Sequence, residues 1–252
     1  MDWKLILLFI FMLIILFLLF SYITRPAGIT PVLDATLPEG ITTDQMGSTK
    51  DEVNNNFSFS IWAIIDDWTY RYGQEKIIFV KKGANSGDPP QFTVSLAPMQ
   101  NNLIVRVRRS MQSTTTSSNS DTNSSTTEFI SIPFECEVVN IPLQKWINII
   151  TTLQEKSLDI YINGKLVKTC VIDGEPNVQN NIPVTLTPGE GGTEGGFSGK
   201  TAKFNYYSDP LSPQECWNVY KNGWTDRNIF SINTAYNIDL VITKNGEEIA
   251  KY

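Results

Sequence analysis

Two acidic side chains, Glu135 and Glu137, alternate on one predicted strand with Cys136 between them. Because successive side chains of a strand point to opposite faces, both carboxylates lie on the same face. Glycoside hydrolysis needs two carboxylates about 5–10 Å apart, so this pair is the candidate for covalent chemistry. A solvated strand face has the same pattern, and we favour that interpretation. The chain contains no histidine, which excludes Ser-His-Asp and Cys-His catalysis and the commonest zinc ligand.

Candidate ligand-binding residues are oxygen donors and aromatic rings. Asp66, Asp67 and the loop 85–88 carry oxygens of the kind that calcium prefers, but their spacing matches no calcium motif. We interpret them as turn residues and expect neither a metal nor another cofactor. Trp62, Trp68 and Tyr70 supply aromatic surface on which a sugar ring stacks, and Trp62 points away from the predicted core. Aromatic residues buried within the sheets explain the same pattern, and we favour that explanation.

The chain has three cysteines. Cys136 and Cys170 fall in predicted strands, whereas Cys216 falls in a predicted helix. No C-x-x-C spacing occurs, so neither a zinc site nor a thioredoxin-like motif is indicated. We expect a Cys136–Cys170 disulfide and one free thiol. Three buried, reduced thiols are the alternative.

A run of leucine, isoleucine, phenylalanine and methionine extends without interruption from Leu5 to Phe20. About 19 apolar residues at 1.5 Å each span roughly 28 Å, close to the hydrocarbon thickness of a bilayer. A cleaved signal peptide is the alternative, but residues 21–26 offer no small-x-small cleavage site. We predict an uncleaved signal anchor at 1–25 that contacts the lipid bilayer through residues 4–23. The protein is then single-pass, with its C-terminal domain on the non-cytosolic side or in a virion.

Residues 26–50 contain Pro26, Pro31 and Pro38 with little periodicity, so we predict a stalk. Residues 57–65 then alternate, with positions 57, 59, 61, 63 and 65 on one face. Further strands are predicted at Lys76–Lys81, Phe92–Leu96, 103–109, 128–138 and 146–153. In the strand at 103–109, positions 103, 105 and 107 face inward, and Arg106 and Arg108 face outward. The net charge of −6 makes nucleic acid an improbable partner.

Asn163-Gly164, flanked by alternating apolar residues, predicts a two-residue type I′ hairpin. The implied register pairs Ile160 with Val167 and Asp159 with Lys168. The tract 110–127 is nearly all serine, threonine, asparagine and glutamine, so we predict a mobile loop. An O-glycosylated or ligand-contacting loop is the alternative. Asn123 in this tract is the candidate N-glycosylation site, while Asn56 opens a core strand and is a poor one.

A helix is predicted to begin after Ser212, with Pro213 in its first turn and Glu215 completing a capping box. It ends near Lys221, before Asn222-Gly223. The tail at 226–252 is predicted to form a β-hairpin around residues 244–247 that packs on the main domain.

Three segments resemble a concanavalin A-like jelly-roll domain of the laminin-G type. They are Phe-x-Phe-x-x-Trp at 57–62, Trp146 followed by the Asn-Gly hairpin, and Gly-Phe-Ser-Gly at 196–199 with the helix at 211–220. A narrower resemblance is to membrane-anchored concanavalin A-like proteins of large DNA viruses. It rests on the anchor, Ile-Pro-Leu-Gln-Lys-Trp-Ile-Asn at 141–148, the hairpin ending in Cys170, and the segment 208–215.

The resemblance implies a mainly β fold, an antiparallel two-sheet sandwich, here at 51–225 and preceded by a single transmembrane helix. Many such relatives bind glycans, often through calcium, and some cleave them with a third acidic residue where this chain has Val139. We therefore expect a non-catalytic structural or interaction module, in a virion membrane or associated with a minor capsid protein. Its partners are then proteins of the same membrane or capsid. The alternative is a lectin-like attachment protein that binds glycans.

Overall fold

The computed structural model describes residues 4, 11–16, 32–41, 53–83, 85, 87–119, 122–179, 181–189, 195–224, 241–244 and 247–251. In chain order the strands are β1 (Leu33–Asp34), β2 (Glu39–Ile41), β3 (Asn56–Asp67), β4 (Lys76–Lys81), β5 (Phe92–Leu96), β6 (Leu103–Asn119), β7 (Thr122–Val138), β8 (Ile147–Gln154), β9 (Ser157–Ile162), β10 (Lys165–Val171), β11 (Glu175–Pro176), β12 (Val184–Leu186), β13 (Ser198–Tyr207), β14 (Val241–Lys244) and β15 (Glu247–Lys251). A helix, α1 (Pro213–Lys221), follows β13.

Two antiparallel sheets form a sandwich. The six-stranded sheet has the order β1-β13-β3-β8-β9-β10. The seven-stranded sheet has the order β11-β6-β5-β4-β12-β2, with β7 paired to β6. Strands far apart in the chain are neighbours in both sheets, as in a jelly roll, and the expected mainly β, two-sheet fold is confirmed.

The core lies between the two sheets and follows the predicted alternation. The odd-numbered residues of β3 from Phe57 to Ile65 point into it, as do Leu103, Val105 and Val107 of β6. Its centre is aromatic: the ring centroid of Phe59 lies 5.2 Å from that of Phe79 and 5.3 Å from that of Phe92. A buried aromatic side chain contributes about 1.5–3 kcal/mol through burial, so this cluster holds the two sheets together.

The hairpin between β9 and β10 has the predicted turn but not the whole predicted register. Asn163 has φ 53° and Gly164 has φ 71°, the positive values that a type I′ turn needs. Pairing follows the expectation as far as Leu166 with Tyr161, and then shifts. Lys168 therefore pairs with Ile160 and Thr169 with Asp159, so both expected pairs, Ile160–Val167 and Asp159–Lys168, are wrong. A β-bulge between Leu166 and Lys168 adds one residue to β10, which moves every later pair by one position.

Part of the predicted stalk belongs to the sandwich. Leu33 and Asp34 pair with β13, and Glu39–Ile41 pairs with β12. Two short strands suffice to extend both sheets at one edge, whereas sequence periodicity cannot register strands of two or three residues. Residues 26–31, with Pro26 and Pro31, and residues 42–50 lie outside the described residues.

The prediction that the polar tract at 110–127 forms a mobile loop is wrong. Strands β6 and β7 pair continuously from Leu103 with Val138 to Asn119 with Thr122. The hairpin register is set by the core residues at its base, and β-branched threonines favour extended backbone. The ladder therefore continues past the core. Asn123 pairs with Ser118 on this ribbon.

At the N-terminus, residues 11–16 are helical, and most of the predicted anchor lies outside the described residues. No helix within the described part of the chain is long and apolar enough to cross a membrane. At the other end, β14 and β15 form the predicted hairpin, with Lys244 paired to Glu247. That the hairpin packs on the sandwich stays a prediction.

Candidate functional site

Helix α1 covers the outer face of the six-stranded sheet. Its capping box is formed as predicted: the backbone N–H of Glu215 donates to Ser212 Oγ, and the N–H of Ser212 donates to Glu215 Oε2. The hydroxyl of Ser212 also donates to this carboxylate, and these hydrogen bonds hold the pKa of Glu215 below its usual value. The helix ends at Lys221, as predicted, and Asn222 is its C-cap. The first and last residues of the helix are thus fixed by local sequence signals.

Trp62 lies under this helix. It points away from the main core, as predicted, yet it is 5% exposed. Its ring stacks on Tyr220 of the helix at 5.7 Å with an interplanar angle of 19°. Because the helix occupies the face that a sugar would need, Trp62 is a packing residue in this conformation.

Cys216 lies on the same buried layer, packed with Ile150 and Tyr161. It is fully buried, and burial raises the pKa of its thiol to about 11. Burial likewise raises the pKa of Tyr161 to about 12. Both groups are therefore neutral near pH 7 and serve as packing groups.

Cys136 and Cys170 form the disulfide expected from sequence, with Cα atoms 6.1 Å apart. Cys136 belongs to β7 of the seven-stranded sheet and Cys170 to β10 of the six-stranded sheet. The bridge therefore joins the two layers of the sandwich at the side where β10 is the edge strand.

Trp68 lines a pocket of about 570 Å³ at one end of the sandwich. Met99 and Val139 supply apolar surface there, and Gln100, Asn101 and Asn140 supply amide groups. Lys76 lies with its Nζ 4.7 Å from the ring centroid of Trp68, a cation–π contact. Tyr70 is partly exposed and does not belong to the lining of this pocket. The three aromatic candidates thus lie in different places: Trp62 under helix α1, Trp68 in this pocket, and Tyr70 outside its lining.

The acidic pair lies on the outer face of the seven-stranded sheet, as the alternation requires, and both carboxylates have partners. Glu135 Oε2 accepts from Arg106 Nε at 2.8 Å. Glu137 Oε1 accepts from Asn102 Nδ2 at 2.7 Å. Arg106 also pairs with Glu75, so one guanidinium is shared between two carboxylates.

This arrangement sets the electrostatics of the sheet face. Burial acts to lower the pKa of Arg106, but hydrogen bonds and charge from Glu75 and then Glu135 outweigh it and raise that pKa. Glu75 also accepts a hydrogen bond from Ser95 Oγ at 2.5 Å. The cluster Glu75–Arg106–Glu135 therefore pairs one cation with two anions.

The acidic turn residues use their oxygens locally. Asp67 Oδ1 accepts from the backbone N–H of Thr69 at 2.8 Å and from its hydroxyl at 2.7 Å. The hydroxyl and then the backbone bond lower the pKa of Asp67. Asp88 Oδ2 accepts from the N–H and the side-chain amide of Asn85. Among the described residues, no group of three or more acidic or cysteine side chains forms a potential metal site.

A second groove crosses the outer face of the seven-stranded sheet and was not expected from sequence. Its volume is about 460 Å³. Prolines 89, 90, 133 and 188 and the side chains of Ile77 and Val80 make its apolar surface, and Arg71, Arg106 and Arg108 bring positive charge. We call it the arginine–proline groove. The alternation of Arg106 and Arg108 on β6 was the sequence signal, but the prolines come from three separate places in the chain: the segment before β5, strand β7 and the segment after β12.

With this geometry described, comparison with known proteins identifies the fold family. The family model of the concanavalin A-like lectin/glucanases superfamily, of the laminin-G type, matches residues 40–216. The chain belongs to this family, as the sequence resemblance implied. No curated protein matches it.

Two solved structures similar to this chain are a binding domain and a pentraxin. The receptor-binding domain of botulinum neurotoxin D is 17% identical, with a TM-score of 0.44, over 69% of this chain and 38% of that one. A native heptameric SAP-like pentraxin from Limulus polyphemus is 16% identical, with a TM-score of 0.48, over 78% of this chain and 84% of that one. The chain thus spans well under half of the neurotoxin chain.

Proposed function

We propose that this protein is a membrane-anchored, non-catalytic interaction module that presents a rigid β-sandwich to partner proteins at the bilayer surface. The observation that carries the proposal is the engagement of the candidate acids. Glu135 is held by Arg106, and Glu137 is held by Asn102. Both carboxylates thus have protein partners, whereas hydrolysis needs two carboxyl groups that are free to act on the glycosidic bond. The geometry therefore favours binding over turnover.

The membrane location is part of the same proposal. The apolar run at 5–20 supports it because that length matches the thickness of the bilayer. The Cys136–Cys170 bridge supports a non-cytosolic or virion location, since disulfides persist in oxidising surroundings. We further propose proteins of the same membrane or capsid as partners. The proposed location in a virion rests on the sequence resemblance alone.

A second candidate function is glycan binding at the Trp68 pocket. What favours it is the combination of one aromatic ring with the amides of Gln100, Asn101 and Asn140. Sites for small polar ligands commonly combine apolar surface with a few placed polar groups. The exposed side chain of Met99 extends the apolar wall.

The experiment uses the full-length chain in detergent micelles on a glycan array, with calcium and then with a chelator. The interaction module predicts no release of reducing sugar from any bound glycan. Glycan turnover that is lost in the double variant Glu135→Gln, Glu137→Gln would overturn it. Selective glycan binding that Trp68→Ala removes and Trp217→Ala leaves intact would favour the lectin reading, because Trp217 lies on helix α1.

The anchor is tested separately on the chain made in cells with a membrane system. We expect it to stay in the membrane pellet after extraction at alkaline pH, with its C-terminal domain protected from added protease in sealed vesicles. Release into the supernatant refutes the anchor, and digestion refutes the orientation.

A further inference from the structure

The arginine–proline groove contains a buried cation that has no counter-ion among the described residues. Arg108 is only 8% exposed although it sits on the outer face of its sheet. Its guanidinium donates one long hydrogen bond, from Nη1 to the carbonyl oxygen of Pro89 at 3.5 Å. Its Nε is buried and has no hydrogen-bond partner, and among the described residues no carboxylate pairs with it.

A buried guanidinium without a counter-ion destabilises the folded state. Removing an ion from water costs several kcal/mol unless a partner of opposite charge and further hydrogen bonds compensate for it. The neighbouring Arg109 illustrates compensation: it pairs with Asp173 and lies 5.3 Å from the ring centroid of Phe134. No described residue compensates Arg108 in this way, so an incoming anion is the partner that completes its environment.

The charge of the groove points the same way. Arg71, Arg106 and Arg108 line it together with one acid, Glu75. Glu75 and the adjacent Glu135 are both bound to Arg106, so neither compensates Arg108, and three guanidinium groups face two carboxylates. The groove is thus locally positive on a chain whose net charge is −6, and a negatively charged partner segment is drawn to this place on the surface.

The rest of the lining defines what accompanies the negative charge. It is mainly apolar, made by Ile77, Val80 and four prolines, and it contains no aromatic ring. A polysaccharide would meet no ring on which to stack. A flat lipid surface would not enter a groove, whereas an extended polypeptide with apolar side chains fits one.

We infer that the arginine–proline groove binds an acidic, apolar peptide segment of a partner protein, with a carboxylate at Arg108 and apolar side chains against the prolines. This inference rests on the proposed interaction role and adds the class of partner. Arg108 is the specificity residue of this surface, because its planar guanidinium can hold a carboxylate through two hydrogen bonds.

The test pans a phage-displayed library of random dodecapeptides on the full-length chain in nanodiscs. We expect enrichment of peptides with one glutamate or aspartate beside leucine, isoleucine or proline. The selected peptide is then synthesised with its acid as Glu and as Gln. Because charge-assisted hydrogen bonds are lost, the Gln peptide should bind about tenfold or more weakly.

Two variants separate binding from folding. Arg108→Met should weaken the peptide by at least about tenfold while leaving the melting temperature unchanged or higher, because an uncompensated cation is replaced by an apolar chain. Arg109→Met is the matched control on the other face of the same strand; it should lower the melting temperature and keep peptide affinity. Arg108→Lys keeps the charge without the planar fork and should bind with intermediate affinity.

Several outcomes overturn the inference. They are peptides selected without an acid, equal binding of the Glu and Gln forms, unchanged affinity in Arg108→Met, or uronic-acid oligosaccharides or phosphatidylserine vesicles binding at Arg108 in place of peptide. A failure of this kind leaves the non-catalytic role standing, because that role fails only on glycan turnover by the chain.

Discussion

Replacing both Cys136 and Cys170 by alanine should lower the free energy of unfolding by about 4 kcal/mol. The two cysteines are 34 positions apart in the chain, and in the chain-entropy model a closed loop of about that length removes roughly 12–13 cal/mol/K from the unfolded state. The loss of stability is made larger by burial. Cys136 is 1% exposed, so removing its sulfur atom leaves a small void in the core.

The assay is urea unfolding of the full-length chain in detergent, followed by tryptophan fluorescence. With a denaturant slope of about 2 kcal/mol/M, the midpoint should fall by about 2 M. Each single variant, Cys136→Ala or Cys170→Ala, should lose nearly as much as the double variant, because either replacement breaks the same bond. Cys216→Ala is the control, since it removes a buried thiol but no bridge.

The reasoning is refuted if the two single losses simply add in the double variant. That result is expected of separate buried thiols, the alternative that the sequence left open. It is also refuted if a reductant leaves the wild-type midpoint unchanged.

Three further perturbations test the layer under helix α1. Gly164→Ala should destabilise the fold by about 1–3 kcal/mol in urea unfolding, since Gly164 has φ +71° and an added Cβ would lie 3.0 Å from the ring of Trp217; an unchanged midpoint would contradict the docking of the helix on this turn. Ser212→Ala should lower the free energy of unfolding by about 1 kcal/mol, because the helix loses its N-cap. Urea unfolding measures this as well, and an unchanged midpoint would mean that the capping box does not stabilise the fold. Cys216 should not react with a thiol reagent at pH 8 in the folded chain and should react after denaturation. Its raised pKa has a further consequence: unfolding releases a proton between pH 9 and 11, so stability falls as pH rises through that window.

The local parts of this fold were predictable from sequence because each depends on residues close together in the chain. The Asn163-Gly164 turn needs two positive φ angles that this dipeptide adopts readily. The start of α1 needs only Ser212, Pro213 and Glu215. The alternation in β3 is strong because one face is almost wholly apolar and lies against the core.

The remaining parts depend on contacts between distant segments. The bulge in β10 changes no residue type, so the sequence retains the pattern of the unshifted register. Strands β1 and β2 owe their structure to neighbours about 150 positions away. The polar ribbon of β6 and β7 follows from a register fixed at its base, and composition carries no trace of that.

The sequence predicted the positions of single residues of the candidate site but not the residues that surround them. Trp62 was correctly placed outside the main core, yet the helix that covers it comes from about 150 positions later in the sequence. Arg108 was correctly placed on the outer face of its strand. Its burial, on which the proposed binding role rests, results from residues that several distant segments contribute.

Strand β10 ends the six-stranded sheet and exposes Leu166, Val167 and Val171 on its surface. A straight apolar edge of this kind invites a strand from a second molecule and so starts aggregation. The bulge interrupts that edge near Val167, Lys165 and Lys168 place charges on it, and the disulfide ties its far end to the opposite sheet. The β-bulge that makes the register of this hairpin hard to predict therefore helps to keep neighbouring copies of the protein from polymerising edge to edge.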